Sequence, residues 1–264
     1  MAYELAYTTS ERTMDQCPIV FLGALGSERS IWADTVAALL DHGLNTVTVD
    51  LRGHGDSVAP TGPYTIAELA DDVLHTLDAL GAHTVDLAGL SLGGAVAQHI
   101  AATSPDRVAS LTLLSTSSRF GTREAWTERA ATVRTSGTDG LVSGLAGRWI
   151  TYERAQKDPA LLRCLGQMVR RTDREGYAAC ADALAEWDGT DLLSAIASPT
   201  LVLGGVDDQS TTPEVMAGLA RKIPNARNVI IEPGAHLLPV ERPELVSSLI
   251  AEHVKANRQP FVSP

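Results

Sequence analysis

The sequence predicts an α/β protein: a mostly parallel central sheet flanked by helices, with a helical insertion late in the sheet. Three observations carry this. Short apolar runs alternate with longer amphipathic stretches, the rhythm of βα units. A glycine-flanked serine sits between one apolar run and the helical pattern that follows it. Residues 119–187 hold helical patches but no convincing strand, and the βα rhythm resumes after them. This spacing divides the chain into core residues 1–118, a helical cap at 119–187 and further core at 188–264.

Residues 18–22 read as the first buried strand, closed by Gly23 and Gly26. Residues 46–50 form a second strand, ended by Arg52, Gly53, His54 and Gly55. Residues 64–80 carry Ile66, Leu69, Val73, Leu77 and Leu80 at helical spacing and stop at Gly81. A third strand at 84–88 leads through the serine turn into a helix at 92–102, which ends before Pro105. A fourth strand follows at 109–114. In the insertion, helical patches at 124–133 and 161–169 are broken by Gly137, Gly140, Gly144, Gly147 and Pro159. Strands at 199–203 and 228–231 and a helix at 243–255 complete the pattern, leaving 257–264 as an unstructured tail.

Composition narrows the function classes. With 264 residues, 44% of them hydrophobic, the chain can bury a core without staples. Its three cysteines, Cys17, Cys164 and Cys180, lie far apart and form no CxxC, against a disulfide framework or a zinc ribbon. No run reaches the roughly 18 apolar residues of a membrane span. The first residues lack a basic stretch followed by an apolar one, so the expected compartment is the cytoplasm. A net charge of −11 disfavours nucleic acid and acidic membranes as partners.

The chemistry lies in Gly89-Leu90-Ser91-Leu92-Gly93-Gly94, a G-x-S-x-G pattern in its required strand–turn–helix context. A turn this sharp strains the serine backbone and lifts its hydroxyl above the sheet, while the N–H of Leu92 faces a developing oxyanion. A serine hydroxyl needs a base, and the base needs an orienting carboxylate. On such an elbow the chain order runs serine, acid, histidine. Asp207 and Asp208 follow the strand at 199–203, and His236 follows the next strand; both positions are C-terminal strand ends. His42, His75, His83 and His253 read as surface or helix positions, and His99 as packing. Adjacent residues at a strand end point oppositely, so one aspartate can face His236. Asp208 is the expected acid and Asp207 its alternative. A second oxyanion donor is expected from Leu22-Gly23-Ala24-Leu25-Gly26, with the N–H of Ala24 the candidate.

These pieces together resemble the α/β-hydrolase family. The likeness runs from Phe21 through Trp32, then Asp50-Leu51-Arg52-Gly53-His54-Gly55-Asp56-Ser57, the serine motif, residues 205–213 and Gly234-Ala235-His236. Within the family the chain is most similar to 3-oxoadipate enol-lactonases, through Tyr64-Thr65-Ile66-Ala67-Glu68-Leu69, Arg148-Trp149 and Gly176-Tyr177-Ala178-Ala179-Cys180. The resemblance implies a lactonase or esterase of aromatic catabolism, and its acid position falls on Asp208. One loop departs from the pattern: where these lactonases carry Ser-Asn-Ser-Leu-Gly, this chain has Leu22-Gly23-Ala24-Leu25-Gly26, which keeps the backbone donor but loses side-chain help. Serine at the elbow argues against dehalogenases and epoxide hydrolases, which use aspartate there.

The cap differs from the rest in charge. It holds eleven Lys and Arg against nine Asp and Glu, while the remainder holds ten against 23. A mildly basic cap over an active site suits a small, carboxylate-bearing substrate. The lactonase pattern marks Arg148 and Trp149 as candidate binding residues. The expected activity is acyl transfer from a small lactone or ester with no metal or organic cofactor. The alternatives are C–C bond hydrolysis of a ring-cleavage diketone on the same triad, or a small-molecule receptor that retains the triad.

Overall fold

The computed structural model describes residues 1–10 and 17–258. A seven-stranded sheet runs in the order β1-β3-β2-β4-β5-β6-β7. Its strands are β1 (Tyr7–Thr9), β2 (Ile19–Leu22), β3 (Thr46–Val49), β4 (Val85–Leu90), β5 (Val108–Leu114), β6 (Thr200–Gly205) and β7 (Ala226–Ile231). All neighbours pair in parallel except β1, which runs antiparallel to β3 at the edge. This is the mostly parallel architecture expected from the sequence. The short edge strand β1 carries no periodic signal in the sequence, since Tyr7 and Thr8 are exposed and Thr9 is half-buried.

Strand residues alternate between two apolar layers, as the period of two requires. Val20, Leu22, Val47, Leu87 and Leu111 face one layer, with α2 (Ile66–Ala79), α3 (Leu92–Thr103) and α8 (Pro213–Lys222). Ile19, Phe21, Leu90, Leu114 and Leu203 face the other, with α1 (Ala33–Asp41) and α10 (Pro243–Asn257). Helix α2 starts on a capping box: the Thr65 side chain accepts from the Glu68 N–H, and the Glu68 carboxylate accepts from the Thr65 N–H. Helix α1 carries no N-terminal capping signal that marks it in the sequence. A short helix, α9 (Leu238–Glu241), precedes α10.

Between β5 and β6 lie four helices: α4 (Arg123–Ser136), α5 (Tyr152–Lys157), α6 (Pro159–Arg171) and α7 (Arg174–Glu186). Helix α7 escaped the sequence reading, because Ala178, Ala179, Cys180 and Ala181 are all buried and leave no apolar stripe. Small residues let α7 settle directly on the core. Gly176 meets Gly53 backbone to backbone, and Cys180 Sγ lies 3.5 Å from the Arg52 carbonyl oxygen. The expected tail needs correcting at its start. Asn257 ends α10, and the Arg258 guanidinium donates to Asp86 at 2.8 Å and to the Cys17 carbonyl at 2.6 Å; residues 259–264 lie outside the described residues. Among the described residues no helix is long and apolar enough to cross a membrane.

Candidate active site

The chain leaves β4 at Leu90 and enters α3 at Leu92, with Ser91 alone making the turn at φ 55° and ψ −112°. A non-glycine residue in that region costs about 1–3 kcal/mol, so its surroundings must hold it. They do so on the main chain: the Ser91 N–H donates to the Leu114 carbonyl (3.0 Å), and the Ser91 carbonyl accepts from Thr116 Oγ1 (2.7 Å). The flanking glycines are needed for close approach. A Cβ on Gly89 would overlap the Gly93 carbonyl, and one on Gly93 would sit 2.5 Å from the Leu22 carbonyl oxygen.

His236 and Asp208 meet beside this turn. His236 Nδ1 lies 2.7 Å from Asp208 Oδ2, both side chains being almost wholly buried. The Asp208 carboxylate also accepts from the Ser210 N–H (2.7 Å), the Thr211 N–H (3.0 Å) and Thr211 Oγ1 (2.6 Å). Burial opposes its charged form. The charge and hydrogen bond of His236 and the bonds from Thr211 outweigh that, and hold the carboxyl below the ordinary value. Asp207 is exposed and turns away, its carboxylate accepting from the Gly234 N–H at 3.2 Å. The two aspartates thus point apart, and the one against the histidine is Asp208.

Ala24, Ser91 and His236 line one cavity of about 490 Å³ at the C-terminal ends of the strands. Leu92 begins α3 immediately after the serine, and an N1 amide has no partner within its own helix. The loop carrying Ala24 is held from behind by His54, which the sequence places in the motif at 50–57 without assigning it a role. Gly26 donates its N–H to His54 Nε2 (2.9 Å), while Nδ1 sits 3.1 Å from the Arg52 carbonyl. These partners require a neutral ring protonated at Nδ1, and complete burial lowers the ring's pKa in agreement. The rest of that sequence motif is framework. The Arg52 guanidinium pairs with Asp72 at 2.6 Å between the rings of Tyr3 and Tyr64, and Asp50 takes Arg29.

The insertion closes the cavity from above. Arg148 and Trp149 both line it, joined by Trp126 and Tyr177 and by Arg129, to which the sequence assigns no role. The segment is tied to the histidine loop through main chain: the His236 N–H donates to the Arg148 carbonyl (3.3 Å), and the Leu237 N–H to the Trp149 carbonyl (2.7 Å). Glu241 secures the same junction, accepting from Thr151 N–H (2.7 Å) and Oγ1 (2.8 Å) on one side and from the Ala235 N–H (2.6 Å) on the other. Of the other histidines, His42, His75 and His83 are exposed. His99 meets the Trp187 ring edge-on, and buried His253 contacts the Pro199 carbonyl.

Residues 18–243 match the family described as alpha/beta hydrolase fold. The chain is 31% identical over 241 residues to 3-oxoadipate enol-lactonase 2 of Acinetobacter baylyi, covering 91% of this chain and 90% of that protein. The enol-lactonase from Burkholderia xenovorans superposes with a TM-score of 0.91 at 34% identity, covering 95% of this chain and 96% of that one. A thermophilic esterase from Thermogutta terrifontis, solved with malate bound, gives a TM-score of 0.90 at 32% identity over 97% and 94% of the two chains.

Proposed function

The chain belongs to the alpha/beta hydrolase fold family, and from that premise we propose a serine hydrolase that cleaves a small lactone or carboxylic ester through an acyl-enzyme. The observation that carries this reading is the buried His236–Asp208 pair, opening with Ser91 onto one cavity. Ser91 Oγ attacks the acyl carbon and passes its proton to His236 Nε2. Asp208 accepts from Nδ1–H, which fixes the tautomer and stabilises the imidazolium. The N–H groups of Leu92 and Ala24 receive the tetrahedral oxyanion. His236 then protonates the leaving oxygen, and water repeats the sequence on the acyl-enzyme to release acid and free Ser91.

Residues 119–187 act in this reading as the cap that encloses the substrate, and the enzyme works in the cytoplasm. The enol-lactonase relatives support an enol-lactone of the 3-oxoadipate kind as substrate. Malate in the related esterase's structure agrees with a small acidic molecule. The test is a panel of lactones, p-nitrophenyl esters and ring-cleavage diketones, run on wild type beside Ser91→Ala, with fluorophosphonate labelling of the serine. Lactone or ester turnover lost with Ser91 supports the proposal. Turnover of diketones alone, or unlabelled Ser91, overturns it.

A further inference from the structure

The Ser91 carbonyl oxygen takes two donors, the Ala95 N–H of α3 at 3.1 Å and Thr116 Oγ1 at 2.7 Å. The first is the ordinary opening bond of a helix. The second comes from outside α3, out of the segment that follows β5, and Thr116 is wholly buried. Thr116 has one hydroxyl proton to give, so its oxygen keeps lone pairs to receive. Gln98, also wholly buried, fills that place. Its Nε2 lies 3.4 Å from Thr116 Oγ1, 3.1 Å from the Gly94 carbonyl and 3.3 Å from the Ser117 carbonyl. Turning the amide over would set an oxygen against those two carbonyls, so the nitrogen faces them. Gly94, which lies outside the G-x-S-x-G pattern, makes room for this contact. A Cβ there would sit 2.5 Å from both Cβ and Oγ1 of Thr116 and push the hydroxyl off the carbonyl.

That carbonyl belongs to the same peptide as the Leu92 N–H. The peptide is trans, so it is planar and its C=O and N–H point in opposite directions. A bond that fixes the oxygen therefore fixes the aim of the N–H. The Ser91 ψ of −112° is the torsion that turns this plane. Hydrogen bonds in series also polarise one another, so a carbonyl that accepts a proton makes the N–H of its own peptide a stronger donor. The Ala24 N–H is built alike: it shares its peptide with the Gly23 carbonyl, which accepts from the Gly93 N–H at 3.0 Å.

We propose that Thr116, with Gln98 behind it, is a positioning residue of the oxyanion hole. A chain of donors runs from the Gln98 amide through the Thr116 hydroxyl to the Ser91–Leu92 peptide, and it aims and polarises the Leu92 N–H. Thr116 acts through that peptide and not on the substrate. The inference rests on the serine-hydrolase reading, in which the Leu92 N–H receives the oxyanion.

The test combines p-nitrophenyl acetate hydrolysis with the amide NMR resonance of Leu92 in protein carrying isotope-labelled leucine, assigned by its loss in Leu92→Met. Thr116→Val keeps the shape and removes the hydroxyl, whereas Thr116→Ser keeps the hydroxyl. The valine variant should lose about tenfold or more in kcat with KM within about twofold of wild type, since the oxyanion exists only in the transition state. Its Leu92 resonance should move upfield. The serine variant should stay within about threefold of wild type in kcat and leave the resonance in place. Gln98→Met, one link further back, should lose about threefold, again in kcat, and it stands in for the valine variant if that does not fold. An unmoved Leu92 resonance in the valine variant overturns the inference whatever happens to kcat. So does an unchanged kcat, a loss confined to KM, or an equal loss in Thr116→Ser. A wild type that cleaves no ester counts against the hydrolase reading alone, and the resonance, which needs no turnover, then decides the inference.

Discussion

The Gly26 N–H donates to Nε2 of His54 at 2.9 Å, so the loop bearing Ala24 hangs on a buried neutral imidazole. Loss of that acceptor frees the loop and moves the Ala24 N–H from where an oxyanion would sit. His54→Gln keeps an acceptor oxygen, and His54→Ala does not. The alanine variant is expected to lose about 10²-fold in kcat, with the glutamine variant between it and wild type. Equal losses in both would mean that the ring supports only the fold.

The same ring contributes to acid sensitivity. Burial lowers the folded pKa of His54 below its ordinary 6.5, against the opposing effects of the Arg52 carbonyl and Asp50. The unfolded chain therefore binds the extra proton first. This share of stability is complete above about pH 6.5 and is lost as the pH falls from there through the folded value. His99 and His253, also lowered by burial, act in the same direction. Urea midpoints measured at pH 7 and pH 5 should fall less in His54→Gln than in wild type. An identical fall would place the acid sensitivity elsewhere.

Asp208 and Asp207 offer a matched pair of substitutions. Asp208→Asn leaves the shape but removes the acceptor that holds the His236 tautomer, and should lower kcat about 10³–10⁴-fold. Asp207→Asn removes an exposed carboxylate bonded to the Gly234 N–H and should change kcat less than about tenfold. Steady-state kinetics on one p-nitrophenyl ester separates them. The reverse ranking would move the acid role to Asp207.

How much of this was legible depended on whether a residue's neighbours in sequence are also its neighbours in space. The strand at Val85–Leu90, the capping box at Thr65 and the elbow at Ser91 are local patterns, and local patterns survive in a single sequence. The alternation of a strand end lets only one of Asp207 and Asp208 face His236, and the resemblance to the lactonases puts the acid position on Asp208. Arg129 gave no sign. It precedes Ala130 on a helix whose buried residues are Ala130 and Val133, so it reads as solvated face until Trp126 and Tyr177 are brought beside it. His54 shows in the sequence as part of the motif at 50–57, but its hold on the Ala24 loop does not, because its partner Gly26 is 28 residues away.

Glu241 joins the insertion to the histidine loop, taking Thr151 with one oxygen and the Ala235 N–H with the other. Glu241→Gln puts an NH₂ group against N–H donors on one side, so one of the two attachments fails. An angstrom of drift in His236 is costly to proton transfer, and kcat should fall about tenfold or more. Glu241→Ala, losing both sides, should fall further. A drop in Tm with unchanged kcat would assign Glu241 a purely structural role.

The strain at Ser91 can be measured by removing the side chain in two steps. Ser91→Ala deletes the hydroxyl but keeps the Cβ that makes φ 55° unfavourable. Ser91→Gly deletes the Cβ as well. Relief of about 1–3 kcal/mol of backbone strain is offset by about 0.4–1 kcal/mol from the greater freedom of glycine in the unfolded chain. The glycine variant should then be the more stable by about 1 kcal/mol, a gain of about 2–4 °C in Tm for a chain of this size. Both variants lose the nucleophile, so activity cannot distinguish them and calorimetry can. A glycine variant less stable than the alanine one would mean that the turn is held without strain, and that Gly89 and Gly93 serve only to admit the neighbouring main chain.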